Sequence, residues 1–151
     1  RRSAEDTMNV MKLARSPAPS VQASATIREA VGVMTETNCG ALVVLDGERL
    51  AGIVSERDVV MRGVRDGLDP GATPVSEIMS SPVESVRADT PTGRAIEVMT
   101  RNRFRHLAIT DAEGKVVGLL SSRDAFQEHL EYLFDQLLSL EAFVCADGPG
   151  G

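Results

Sequence analysis

The sequence is nearly without aromatic residues: no Trp, one Tyr and four Phe, 3% of its 151 residues. Its core must therefore be aliphatic, drawn from the Val, Ile, Leu, Met and Ala within the 42% of residues that are hydrophobic. The same scarcity removes the stacking platforms with which proteins hold single-stranded nucleic acid. Positive charge is in deficit too. Sixteen Lys and Arg face 22 Asp and Glu, for a net charge of −6, so neither wrapping of duplex nucleic acid nor adhesion to an anionic membrane is expected. An acidic chain can still hold a phosphate-bearing small ligand where it gathers cations locally. Two cysteines, Cys39 and Cys145, without CxxC spacing, make neither a disulfide framework nor a metal site; two ordinary thiols of a reducing compartment are expected. No apolar run approaches the ~20 residues that span a bilayer. The charged stretch Arg1 to Asp6 lacks the apolar segment of a secretory signal. The expectation is a soluble cytoplasmic protein.

What the sequence does have is an internal repeat, the feature that reveals architecture before any motif does. An offset of 65 residues aligns Val10 with Val75, Pro17 with Pro82, Ala30 with Ala95, Met34 with Met99, Leu42 with Leu107 and Asp46 with Asp111. One extra residue enters near Gly114. The offset then becomes 66, and Gly52 meets Gly118, Ser55 meets Ser121, Arg57 meets Arg123 and Asp58 meets Asp124. A single-residue slip placed in a turn is what a duplication tolerates.

Each copy reads as helix, strand, strand, helix. Thr26 can cap a helix whose apolar residues Ile27, Ala30, Val31 and Met34 keep the 3.6-residue period, fading near Asn38 and Cys39. The run Ala41 to Leu45 reads as a buried strand, Asp46-Gly47 as a hairpin turn and Leu50 to Val54 as the returning strand. Helical spacing resumes after Ser55 with Val59, Val60 and Val64. The second copy gives a helix near Thr92 to Asn102, strands near His106 to Ile109 and Val116 to Leu120, and a helix from about Ser122. The expected division is an N-terminal extension over 1–7, a first repeat over 8–65, a linker over 66–74, a second repeat over 75–140 and a flexible tail over 141–151. The linker is rich in Gly and Pro, as Asp66 to Pro74 shows. Ser3 to Asp6 is expected to start a short helix leading to Ala14.

Both copies close the second strand with one phrase, Gly52-Ile-Val-Ser55-Glu-Arg-Asp58 and Gly118-Leu-Leu-Ser121-Ser-Arg-Asp124. A Ser hydroxyl and an Asp carboxylate three residues apart at a helix start face one side. They can donate to and accept from vicinal sugar hydroxyls. Beside them the helix N-terminus offers N–H groups to phosphate oxygens, and the glycine allows a close approach to the backbone. The plainer account is a capping box, in which Ser and the acidic residue satisfy the first helical N–H groups. Repetition of Gly, Ser, Arg and Asp in phase favours the ligand role, because a cap does not require the Arg.

The phrase resembles the Gly-apolar-x-Ser/Thr-x-x-Asp signature of ligand-binding cystathionine-β-synthase (CBS) domains, and the element order and the Pro17 and Pro82 segments extend the resemblance over roughly residues 8 to 140. The resemblance implies an α+β fold of two tandem pseudo-symmetric CBS repeats, with their small sheets packed at the repeat interface and two clefts at the junction. It also implies a regulatory module that performs no catalysis. The implied ligand is an adenosine nucleotide (AMP, ADP or ATP) or S-adenosylmethionine, with room for Mg²⁺ beside the phosphates. Carried onto this chain, the first site comprises Gly40, Ala41, Leu42, Ser55, Arg57 and Asp58. The second comprises Arg105, His106, Leu107, Ser121, Arg123 and Asp124. Arg101 and Arg103 are equally well explained as cations at a helix end. The two sites are expected to differ, the first with a small-residue entrance at Gly40 and the second with a bulky cationic one.

In the last helix Phe126, Leu130, Leu133, Leu137 and Leu140 follow a four-then-three spacing, widened by Phe134 and Leu138. Either this stripe packs on its own repeat or its surplus is buried in a homodimer. His129 has no partner pattern, and Asp46 and Asp111 suit turns. Two rival functions stand beside the sensor, which would signal to an effector protein. One is a ligand-independent dimerisation scaffold. The other is an enzyme using Cys39 or His106, disfavoured because neither has a base or orienting partner at recognisable spacing.

Overall fold

The computed structural model describes residues 9 to 146. It is α+β, two three-stranded sheets each flanked by helices, in two tandem repeats. In the first, strand β1 (Ser20–Gln22) leads to helix α1 (Ile27–Thr37), then to β2 (Ala41–Asp46), β3 (Arg49–Ser55) and α2. Helix α2 opens as Glu56–Asp58 and continues in the wider π geometry over Val59–Val64. In the second, β4 (Ser85–Arg87) precedes α3 (Thr92–Asn102), β5 (His106–Thr110), β6 (Val116–Ser121) and the long α4 (Ser122–Ala146). In each sheet the short first strand pairs in parallel with the hairpin's first strand, and the hairpin is antiparallel.

Local chemistry explains the boundaries. The Thr26 side chain accepts from the Glu29 N–H at 3.1 Å while the Glu29 carboxylate accepts from the Thr26 N–H at 3.1 Å, a reciprocal cap of the kind that starts helices. The helix ends at Asn38, whose φ of 52° is left-handed, a conformation Asn tolerates. Arg103 ends α3 in the same way at φ 58°. Gly47 and Gly114 supply the positive φ that the two hairpin turns require.

Strand parity sorts the core. Leu42 and Val44 of β2 point into the first repeat's core with Ile27, Ala30, Met34 and Val54. Ala41 and Val43, on the opposite face, join Ile53 and Leu119 of the other repeat in a cluster between the sheets. Both faces of β2 are therefore buried, which is why its sequence is a continuous apolar run and not an alternation. The second core holds Ala95, Met99, Leu107, Ile109, Leu120 and Ala125.

Each core also contains residues from the other copy's opening segment. Val75 and Ile78 are buried in the first core, and Val10 is buried in the second. The crossing segments pair with the receiving sheets through isolated bridges, Ile53 with Ser80 and Arg15 with Leu119.

Three features differ from expectation. The three-residue strands β1 and β4 add a third strand to each sheet; they are too short to show a period and gain their order from pairing. The opening segment is a single 3₁₀ turn, Val10–Lys12, within the described residues, and Ser3 to Asp6 lie outside them. Helix α4 runs to Ala146, six residues into the stretch expected as a tail, because Phe143 and Val144 continue its apolar spacing; residues 147–151 lie outside the described residues. Of the two placements open for the apolar stripe of α4, the single chain leaves most of it uncovered by its own repeat: Ala125 is the helix's buried residue.

Candidate functional site

A cleft of about 540 Å³ opens between the two repeats, within the range of small-molecule sites. One wall is the first repeat's strand end and helix start: Ile53, Ser55, Glu56, Arg57, Asp58 and Arg62, with Gly40 beside them. The facing wall comes from the second copy. It consists of Ser80 and the Pro82, Val83 and Glu84 segment before β4, with Arg103, Phe104, Arg105 and His106 where α3 hands over to β5.

The structure thus regroups the residues expected from the sequence. Arg105 and His106, assigned to the second site, face Ser55, Arg57 and Asp58 in the same cleft. The cationic entrance belongs to the first signature, and the two are brought together across the junction. Ser121, Arg123 and Asp124 do not line this cleft. Ala41, Leu42 and Leu107 are buried at 2% exposure or less. Leu42 and Leu107 fill the two cores and Ala41 the contact between the sheets, so none of the three side chains lines the cleft. Their backbones are in the ladders, with Ala41 opposite Ser55 and His106 opposite Ser121.

The capping reading and the ligand reading meet at Asp58. Its N–H donates to Ser55 Oγ at 3.2 Å, and its Oδ2 accepts from the Ser55 N–H at 2.9 Å and from Ser55 Oγ at 3.0 Å. The capping box is complete. Both accepted bonds fall on Oδ2, so the second carboxylate oxygen keeps its acceptor capacity. Of the first three N–H groups of α2, Glu56 donates to the Gly40 carbonyl at 2.9 Å and Asp58 to Ser55. The expected anion site at this helix start is largely filled by the protein itself. In the second copy the Ser122 N–H donates to the Arg105 carbonyl at 2.7 Å and the Asp124 N–H to Ser121 Oγ at 3.1 Å, but the Asp124 carboxylate accepts no bond from Ser121.

The glycines of the two signatures also serve the chain. A Cβ at Gly52 would lie 2.6 Å from Met79 Sδ and 2.8 Å from the Ser80 carbonyl oxygen. At Gly118 it would lie 3.3 Å from the Arg15 carbonyl oxygen. The close approach anticipated for a ligand is made instead by the crossing segments.

Positive charge is available where these walls meet. Among the described residues, Arg57, Arg103 and Arg105 enter no ion pair, whereas Arg101 is taken by Glu97 at 2.6 Å. Arg62 is pinned by donating to the carbonyls of Ile78 and Met79 at 3.2 and 3.0 Å. His106 is half-buried. Burial lowers its pKa below 6.5, the Arg105 guanidinium lowers it further, and the carboxylates of Asp58 and Asp124 oppose both effects. His106 is therefore neutral at pH 7 and lies within electrostatic reach of both signature carboxylates.

Sequence reasoning missed Glu56, Arg62, Ser80, Pro82, Val83, Glu84 and Phe104 as cleft residues. The aligned Pro17 and Pro82 pointed to the segment but not to its destination. Among the described residues, no group of three or more His, Cys, Asp or Glu is placed to hold a metal ion, and no helix is long and apolar enough to cross a membrane.

Two repeats joined face to face around a cleft that both copies build define a tandem α+β ligand-cleft module. The CBS domain family model matches residues 10–64 and 75–131, and the chain belongs to that family. It is 38% identical over 116 residues to an uncharacterized 17.7 kDa protein of Acidianus ambivalens, covering 76% of this chain and 69% of that one. The fold is similar to that of a protein with CBS domains from Burkholderia ambifaria MC40-6, with TM-score 0.69, 35% identity and coverage of 76% and 83%. It is also similar to the CBS domain protein PAE2072 from Pyrobaculum aerophilum, complexed with AMP, with TM-score 0.67, 32% identity and coverage of 78% and 89%. In some other relatives the matched region is a small part of a longer chain, 16% in one.

Proposed function

We propose that this chain is a non-catalytic regulatory module that binds an adenosine nucleotide in the cleft between its repeats. The observation that carries the reading is the composition of the two walls. Ser55 and Asp58 offer hydroxyl and carboxylate on one side, Arg105 and His106 stand on the other, and the guanidinium groups of Arg57 and Arg103 are free of ion pairs. A carboxylate that accepts from two vicinal hydroxyls suits a ribose, and unpaired guanidinium groups suit phosphate oxygens. The AMP complex of the 32% identical Pyrobaculum protein supports the ligand class. ADP, ATP and S-adenosylmethionine are the other members of that class, with Mg²⁺ accompanying a polyphosphate.

Because the walls come from different copies, a bound ligand favours the arrangement in which they are close. Its differential affinity for that arrangement is the signal. The output passes to an effector protein in the cytoplasm, and the module works as a homodimer. By the repeat period Arg15 stands where Ser80 stands in the other copy, and its guanidinium donates to the Thr37 carbonyl at 2.5 Å. The pseudo-symmetric counterpart of the cleft is therefore more obstructed, and one ligand per chain is expected.

The test is a thermal-shift titration with AMP, ADP, ATP and S-adenosylmethionine, with GTP as control. A ligand at 100 times its dissociation constant adds about 2.7 kcal/mol, or roughly 5 to 10 °C for a chain of this size. The complete Ser55–Asp58 cap and the two glycines that admit the crossing segments favour a second reading, a ligand-independent scaffold. That reading predicts no shift with any of these compounds.

A further inference from the structure

The duplication puts a small apolar residue and an ionisable one at the same place in the two copies. His106 stands where Ala41 stands, by the offset of 65 residues. Each opens the first strand of its hairpin, Ala41 opposite Ser55 and His106 opposite Ser121. Strand alternation turns Leu107 and Ile109 into the second core, so His106 lies on the other face of β5. In the first copy that face carries Ala41 and Val43 into the contact between the sheets. Ala41 is buried there, whereas His106 is half-buried and lines the cleft.

Four guanidinium groups share the cleft with His106, those of Arg57, Arg62, Arg103 and Arg105. The carboxylates in the same walls are Glu56, Asp58 and Glu84. Burial disfavours the charged imidazole most, Arg105 adds to that, and Asp58 and Asp124 (the latter from α4) oppose both. The ring enters no hydrogen bond among the described residues, and neither of its nitrogens is sealed from solvent. It can therefore gain a proton without breaking a contact. An anion in the cleft changes this balance twice, with the same sign. It adds negative charge near the imidazole, and it offsets the field of the Arg105 guanidinium. The imidazolium so favoured donates from both nitrogens, and bonds from a charged donor to a phosphate oxygen are the stronger kind.

We infer, on the nucleotide reading above, that His106 takes up a proton when a phosphate-bearing ligand enters the cleft, so that affinity for such a ligand rises as the pH falls. Linkage makes the effect reciprocal: a ligand that raises the proton affinity of His106 is itself bound more tightly by the protonated chain. In the free chain burial keeps His106 neutral until the pH is below 6.5, and with the anion bound it charges at a higher pH. The gain in affinity is absent well above the bound value, grows as the pH falls through the window between the two values, and is complete below the free one. Adenosine, which carries no charge, should show no such gain. The module would thus answer to acidification and to nucleotide together.

The experiment follows the imidazole signals of the full chain by nuclear magnetic resonance from about pH 5 to pH 8, alone, with saturating AMP and with saturating adenosine. The chain has two histidines. His129 does not line the cleft and is the internal reference, and His106→Gln assigns the signals. With AMP the His106 midpoint should move up, and with adenosine it should stay in place. Calorimetric titration of AMP in buffers of different ionisation heat reads the same event as protons. At pH 6.5 the wild type should take up a few tenths of a proton more than His106→Gln, and its affinity should gain several-fold more between pH 7.5 and pH 6. The phosphate's own ionisation, near pH 6 for a monoester, enters both proteins alike and cancels in the difference. AMP that binds with the His106 midpoint unmoved and no difference in protons would overturn the inference and leave the nucleotide reading standing. A chain that binds none of AMP, ADP and ATP would overturn it together with the phosphate-bearing form of that reading.

Discussion

Leu119 and Arg15 exchange both of their backbone hydrogen bonds, Arg15 N–H to the Leu119 carbonyl at 2.9 Å and Leu119 N–H to the Arg15 carbonyl at 3.0 Å. Ile53 and Ser80 do the same at 3.1 and 2.8 Å. The glycine preceding each strand residue, Gly118 and Gly52, is the gap through which the visiting segment passes.

Replacing these glycines by Ala should therefore destabilise unequally. At Gly52 the new methyl meets a backbone carbonyl at 2.8 Å, and a loss of about 2–3 kcal/mol is expected. At Gly118 the nearest atom is at 3.3 Å, and a loss of about 1 kcal/mol is expected. Urea unfolding of the two single variants measures both.

Asp58→Ala removes a cap and a cleft acceptor together. Stability should fall by about 1 kcal/mol, and the dissociation constant for AMP should rise tenfold or more, as for loss of a hydrogen bond to a charged group. Asp124 is exposed and its carboxylate makes no hydrogen bond. Asp124→Ala should therefore move stability by less than about 0.5 kcal/mol and affinity by a few-fold at most. Calorimetric titration of both variants distinguishes them; equal losses would contradict the cleft assignment.

Arg103 sits at φ 58°, where a side chain other than Asn or Gly is disfavoured. Arg103→Asn should stabilise the fold by roughly 0.5 kcal/mol while weakening ATP binding more than adenosine binding. A variant that is more stable and binds ATP as before would remove Arg103 from the phosphate contact.

The depressed pKa of His106 couples folding to pH. The unfolded chain protonates this residue near pH 6.5, before the folded chain does, because the folded value lies lower. Protons therefore favour unfolding. The residue costs nothing above pH 6.5, and its penalty grows as pH falls from there towards the folded value. His106→Gln should lose less stability than the wild type between pH 7.5 and pH 5.5 in parallel urea titrations. An identical loss would show that other groups carry the acid sensitivity.

Much of the fold is legible in the sequence because it is local. Thr26 with Glu29, the Asp46-Gly47 turn and the Thr92 to Asn102 period each announce an element, and the duplication orders them. What escaped depends on distant contacts. Ser20–Gln22 and Ser85–Arg87 are strands only because a neighbouring strand accepts them. Arg105 and His106 precede Ser121, Arg123 and Asp124 in one copy, yet they face the Ser55 and Asp58 of the other, since the cleft is built across the junction. Gly52 belongs with them: the close approach its missing side chain allows is made by Met79 and Ser80 of the other copy's opening segment, which no local pattern announces.

The exchange of opening segments has a consequence for how the molecule can come apart. Cutting the chain within Asp66 to Pro74 would free two halves, each lacking a piece of its own interior: the first without Val75 and Ile78, the second without Val10. Neither half is a finished object. The pair resembles two hands holding each other's wrists, so strain applied to one sheet is felt in the other, and the two repeats should melt in one transition.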